Sequence, residues 1–192
     1  MIVDPLSGVF AAFGLSASAG LNAYIPLLIL SLVARFTNLI SLTEPWDALS
    51  SWWVIGVLIV LTVIEFFADK IPAVNHINDA IQTFIRPAAG AIAFAASARV
   101  VNDIHPILAM VAGLLVAGSV HAAKSAAVRP AVTATTGGLG NIPVSIAEDV
   151  TATVVSILAI VIPALLVMIL IVVTAYIIWY FWRRVNRESQ GG

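Results

Sequence analysis

The chain has 192 residues, 61% of them hydrophobic and only 10% charged, with a formal net charge of −1 and no cysteine. Soluble domains carry about 25% charged residues to keep their surface wetted, so this composition excludes an ordinary water-facing exterior and calls for lipid as the solvent. The near-neutral balance supplies no basic field for nucleic acid, and the missing cysteines exclude disulfides, thiolate metal sites and a cysteine nucleophile.

No basic residue precedes the first apolar run in Met1-Ile2-Val3-Asp4-Pro5. A cleavable signal needs that positive start, so the run is expected to stay in the mature protein. It extends from Leu6 to Ala34 and is interrupted by Gly14, Ser16, Ser18, Gly20 and Asn22, with Pro26 behind them. Arg35 to Ser51 reads as a loop at a membrane surface, marked by Trp46, with Trp52 and Trp53 beside it, because indole rings favour the headgroup level. Trp52 to Ala68 is a cleaner apolar span.

From Asp69 to Arg86 the chain turns polar, yet Ile77, Ile81, Phe84 and Ile85 recur at helical spacing. That pattern predicts a short amphipathic helix, followed by a separate short apolar segment from Pro87 to Val101. Ile107 to Val120 is the next span, with His121, Lys124 and Arg129 continuing its C-terminal end. Thr133 to Pro143 is the least helix-like stretch, rich in threonine and glycine, and should break any helix it occupies. Thr151 to Trp182 would be roughly 46 Å long as one helix, against a hydrocarbon core of about 30 Å. Pro163 removes a hydrogen bond within it and predicts a break there. The basic cluster Arg183, Arg184 and Arg187 places the C-terminus in the cytoplasm by the positive-inside rule.

Ser16 to Pro26 (SASAGLNAYIP) and Thr133 to Pro143 (TATTGGLGNIP) align without a gap at an offset of 117 residues. Ala17 meets Ala134, Gly20 meets Gly137, Ile25 meets Ile142, Pro26 meets Pro143, and hydroxyls meet at Ser16/Thr133 and Ser18/Thr135. Small residues also serve close helix packing. Glycine, asparagine and proline twice in one order, however, predict two broken or re-entrant helices, which lipid tolerates only where they line a protein cavity. The repeat is read as residues 6–70 and 123–187 of a single membrane domain spanning 1–192, and it could be parallel or inverted.

The run from Gly14 to Pro26, Glu65 with Asp69-Lys70-Ile71-Pro72, Arg86-Pro87 and the Thr-Gly-Gly segment resemble a widespread bacterial inner-membrane family, catalogued only as a domain of unknown function. The resemblance covers most of the chain. It implies a small polytopic protein of the bacterial cytoplasmic membrane and supplies no activity or site residues.

Ionisable groups near spans are costly and count as candidates for function. Glu65 and Asp69 share a helix face, Lys70 adjoins them, His121 and Lys124 share another, and Glu148 with Asp149 follows the second broken motif. A polar cavity is expected from Ser16, Ser18, Gly20, Asn22, Thr133, Thr135, Gly137, Gly138 and Asn141. The cations Lys70, Arg86, Lys124 and Arg129 would face the acids Glu65, Asp69 and Glu148, with Glu65 pairing Lys124. Broken-helix N-termini favour anions. His76, His105 and His121 lack metal-site spacing and no G-x-S-x-G occurs, so neither metal, cofactor nor enzymatic activity is expected.

The expected fold is an all-α membrane bundle of five to six segments. The expected function is secondary transport or translocation of a small or lipid-linked anion, the alternative being a non-transporting scaffold or accessory subunit. Expected partners are the lipid bilayer, an anionic small molecule or lipid phosphate, and further copies of the chain in a homo-oligomer.

Overall fold

A computed structural model describes residues 5–70, 72–98 and 104–190, and every regular element among them is helical. In chain order these are α1 (Pro5–Leu21), α2 (Tyr24–Phe36), a 3₁₀ turn (Trp46–Ser50), α3 (Trp52–Ala68), α4 (Pro72–Ala98), α5 (Pro106–Ala123), a π turn (Lys124–Val128), α6 (Arg129–Thr136), α7 (Asn141–Val161) and α8 (Pro163–Gln190). Caps fix several starts. Ser51 accepts a hydrogen bond from the Val54 N–H to open α3, and His105 accepts from the Ile107 N–H, with Pro106 following it, to open α5.

The centre of the molecule is α1, with Ala12, Leu15, Ser16, Ser18 and Ala19 wholly buried. It packs against α4, α5 and α7, and α4 packs closely on α5. Small residues make that approach feasible. Helix α5 buries Ala109, Gly113, Ala117 and His121 at strict four-residue spacing, so one row of near-bare backbone faces inward. A Cβ on Gly113 would strike the Gly90 carbonyl of α4, and Ser16 Oγ donates to the Gly113 carbonyl at 2.7 Å. Helix α7 turns Ser145, Asp149, Ala152, Ser156 and Ala159 inward. Ser18 Oγ donates to the Ala152 carbonyl at 2.8 Å and lies 2.8 Å from Ser156 Oγ.

Both aligned sequence stretches contain a helix interruption. In the first, helix persists through Ser16, Ser18 and Gly20 and breaks only at Asn22 and Ala23. Asn22 Oδ1 accepts from the N–H groups of Tyr24 and Ile25, so the break restarts at once as α2. In the second, Gly137 and Gly138 take φ of +62° and +92°, a left-handed region that favours glycine, and end α6. Ile162 separates α7 from α8 where Pro163 predicts a break.

One expectation is corrected. Pro87 does not divide a short amphipathic helix from an apolar one, because α4 runs unbroken from Pro72 to Ala98 through it. The ring lies toward Gly118 of α5, where no side chain opposes it, and packing across α4 and α5 offsets the missing hydrogen bond. Residues 1–4 and 99–103, which include the N-terminal signal reading and the end of the expected 87–101 segment, fall outside the described residues.

Pro106–Thr136 and Asn141–Val161 are long and apolar enough to cross a membrane, and Ser7–Leu21, Tyr24–Phe36, Trp52–Ala68 and Ile171–Tyr180 are shorter apolar helices. Polarity is arranged outside in. Helix α3 leaves Trp53 88% exposed, with Val57, Val60, Ile64 and Phe67 also exposed, while Glu65 on the same helix is 1% exposed.

Candidate functional site

Five helical segments deliver charge to one place inside the bundle. Ile55, Leu58 and Glu65 lie on the buried face of α3 and Asp69 caps its C-terminus, so two acids enter the interior one turn apart. Arg86 on α4 meets them there. Its Nη2 lies 2.9 Å from Glu65 Oε1 and 3.6 Å from Asp69 Oδ2, and its Nη1 lies 3.2 Å from His121 Nδ1. His121 Nε2 is 3.2 Å from Thr83 Oγ1. Asp69 also receives Asn78 Nδ2 at 2.6 Å and Ser145 Oγ at 3.4 Å.

Arg129 Nη2 continues the chain of contacts, 3.6 Å from Asp69 Oδ2 and 2.7 Å from Glu148 Oε2. Lys124 Nζ donates to the same Glu148 oxygen at 2.9 Å and to the Leu21 carbonyl at 3.0 Å. Lys70 pairs with Asp149 Oδ2 at 3.3 Å, and Asn22 Nδ2 donates to Asp149 Oδ1 at 3.0 Å. The first motif therefore touches the network through the break itself, by Asn22 and the freed carbonyl of Leu21.

The π turn sets the geometry of the Glu148 clamp. Five residues of regular α-helix would carry Arg129 about 140° around the axis from Lys124. The Arg129 N–H instead bonds the Lys124 carbonyl, an i to i+5 closure that widens the turn. Both cations then face α7 and converge on one carboxylate oxygen. Formal charge balances across the ion pairs, with Lys70, Arg86, Lys124 and Arg129 against Glu65, Asp69, Glu148 and Asp149. Pairing is what lets such groups be buried at all. Satisfaction is incomplete, however: Glu65 Oε2, Gln82 Oε1, Arg86 Nε, Arg129 Nε and Nη1, and Asn141 Oδ1 are buried without a protein hydrogen-bond partner.

Two openings reach this cluster on either side of the π turn. An apolar groove of about 400 Å³ runs between Leu21, Val120, Val128, Val144 and Ala147, with Lys124 and Glu148 in its wall. A more polar cleft of about 510 Å³ is lined by Asp79, Ser125, Arg129, Thr133 and Asn141.

The sequence-predicted residues divide accordingly. Glu65, Asp69, Lys70, Arg86, Lys124, Arg129 and Glu148 come together, with Asn22 at their edge. Lys124 pairs with Glu148, whereas the salt-bridge partner of Glu65 is Arg86. Ser16, Ser18 and Gly20 lie in helix contacts; a Cβ on Gly20 would come 2.5 Å from the Ala117 carbonyl. Thr135 and Gly137 are exposed, Gly138 is half-buried beside them, and Thr133 with Asn141 borders the polar cleft. Sequence reasoning noted Asp149 beside Glu148 but left it out of the expected cavity, and it gave Ser145, Asn78 and Gln82 no role there. For Ser145 and Asp149 the signal was present in the inward spacing of α7.

The class defined by this arrangement is an all-helical bundle that encloses a balanced ion network beneath an apolar exterior. The chain belongs to the family described as Domain of unknown function (DUF4126), whose model matches residues 9–183. No curated protein and no solved structure matches it.

Proposed function

We propose that the chain is a membrane-embedded bundle of the bacterial cytoplasmic membrane that translocates a small or lipid-linked anion, with Lys124 and Arg129 as the anion site. The membrane part of the reading is supported by the inverted polarity. Large apolar side chains on α3, α5, α7 and α8 are exposed side by side, and contiguous exposed apolar surface marks contact with lipid or a partner, while ionised groups are buried. Lipid suits such a surface, and buried ionisable residues within spans mark substrate or ion paths.

The transport part rests on one observation above others: Glu148 Oε2 is gripped by two buried cations in the wall of an apolar groove. A carboxylate oxygen there stands where the oxygen of an incoming phosphate or carboxylate would bind. Exchange of Glu148 for the ligand would release α7 from the π turn and couple binding to a change of shape. The groove accepts an acyl or isoprenyl chain beside the clamp, which favours a lipid-linked substrate. The repeat lends support as well, since the helices resume at Tyr24 and Asn141, again 117 residues apart.

The scaffold reading is favoured by the tight packing of Ser16, Ser18 and Gly20 against α5 and α7. Reconstituted vesicles separate the two. A transporter accelerates flipping of fluorescent NBD-phosphatidic acid, read by dithionite quenching, or gives phosphate-evoked currents on a solid-supported membrane. A scaffold leaves both at the level of protein-free vesicles.

A further inference from the structure

The polar cleft on the other side of the π turn has a composition that the anion clamp alone does not explain. Arg129 is 6% exposed and uses only Nη2 for Glu148 and Asp69, so Nε and Nη1 lack partners at the wall of the cleft. These are donors, and they call for an anionic oxygen. Asn141 Nδ2 is committed to Thr133 Oγ1 at 2.9 Å, which orients Oδ1, a buried acceptor with no partner, for a donor. Asp79 of α4 adds a carboxylate to the lining and forms no salt bridge among the described residues. One cleft thus presents unpartnered donors on a cation together with an unpartnered acceptor and a carboxylate outside the salt-bridge network of the described residues.

Charge counting narrows the ligand. The ion-paired cluster is already neutral, four cations to four carboxylates, so a bare anion entering beside it adds uncompensated charge in a poorly solvated place. A zwitterion brings its own compensation. We propose that this cleft binds the ammonium-bearing phosphate group of an ethanolamine phosphodiester. The phosphate would lie on Arg129, and the primary ammonium would donate to Asp79 and Asn141 Oδ1. At about 510 Å³ the cleft is in the size range of small-molecule sites. The shared chemistry admits a free diester or a phosphatidylethanolamine headgroup. The inference deepens the translocation reading and rests on it for Arg129 as the anion-binding group.

The test is thermal unfolding of the detergent-purified full chain, followed by tryptophan fluorescence. Glycerophosphoethanolamine at tenfold its dissociation constant should raise Tm by about 3–5 °C. Glycerophosphocholine, whose ammonium has no N–H to donate, and ethanolamine alone should not. Asp79→Asn, read against its own ligand-free Tm, should lose the shift. In nanodiscs, stabilisation by phosphatidylethanolamine over phosphatidylcholine without any response to the free diester would assign the lipid as the source. Equal shifts from the ethanolamine and choline diesters, or an undiminished shift in Asp79→Asn, would overturn the amine assignment and leave the anion clamp standing. No shift from any diester, free or lipid, would overturn the cleft as a site, while vesicle flux judges translocation separately.

Discussion

Arg86 Nη2 sits 2.9 Å from Glu65 Oε1, and neither side chain is more than 1% exposed. Two such groups can lie inside a bundle because each neutralises the other, and removing either leaves the buried charge around it less well compensated. Glu65→Gln or Arg86→Met should therefore cost about 3–5 kcal/mol. The double variant should regain a large part of that loss. Thermal unfolding in detergent across the four proteins measures the coupling, and purely additive losses would show that the pair contributes no interaction energy.

The π turn makes a sharper prediction. Inserting one alanine after Ala126 would rotate Arg129 and everything beyond it by about 100° relative to Lys124. Arg129 and Lys124 could then no longer share Glu148. The insertion should lower Tm as much as Glu148→Gln does, and adding Glu148→Gln to it should cost little more. Ser125→Ala, at an exposed position in the same turn, should be close to neutral.

Substitutions at Gly20 and Gly137 should fail for different reasons. Gly20→Ala drives a methyl group into the Ala117 carbonyl and the Val120 side chain, a clash costing about 1–3 kcal/mol. Gly137 has open space around it, so Gly137→Ala meets only the left-handed backbone, about 1–2 kcal/mol, and Gly137→Asn less. Gly56→Ala is the control: it lies in α3 with nothing near its Cβ position and should stabilise by about 0.5–1 kcal/mol. Monodisperse yield and Tm rank the four.

Topology follows from the last helix. Arg183 stacks over Trp179 at 5.0 Å, and Arg184 and Arg187 come just after it. A reporter fused after Gly192 should be active only in the cytoplasmic form. Activity of a periplasm-requiring fusion would reverse the orientation.

What could be read from the sequence was what local chemistry dictates. Pro163 opens α8 directly after the break at Ile162, and Gly137-Gly138 end α6 because only glycine is at ease at positive φ. Arg86, Lys124, Arg129 and Glu148 stood out because charge is rare in this chain. Their pairing did not, since Glu65 finds Arg86 rather than Lys124 only once α3, α4 and α5 are assembled. Pro87 misled for the same reason, its cost being offset by packing between α4 and α5. Nothing in Lys124-Ser125-Ala126-Ala127-Val128 announces a π turn, because the widened closure answers to the partners on α7.

The central proposal is that an anion takes the place of Glu148 between Lys124 and Arg129. The most direct measurement is the initial rate of NBD-phosphatidic acid flipping in vesicles holding equal amounts of wild-type protein, Lys124→Gln and Glu148→Gln, each checked for a monodisperse elution peak. Wild type should exceed protein-free vesicles and should prefer phosphatidic acid over the NBD-phosphatidylcholine analogue. Lys124→Gln should fall at least about tenfold, the equivalent of 1.4 kcal/mol lost from a charge-assisted contact. Glu148→Gln should bind the anion without releasing it and fall likewise. Rates in folded Lys124→Gln and Glu148→Gln that match wild type would contradict the anion clamp.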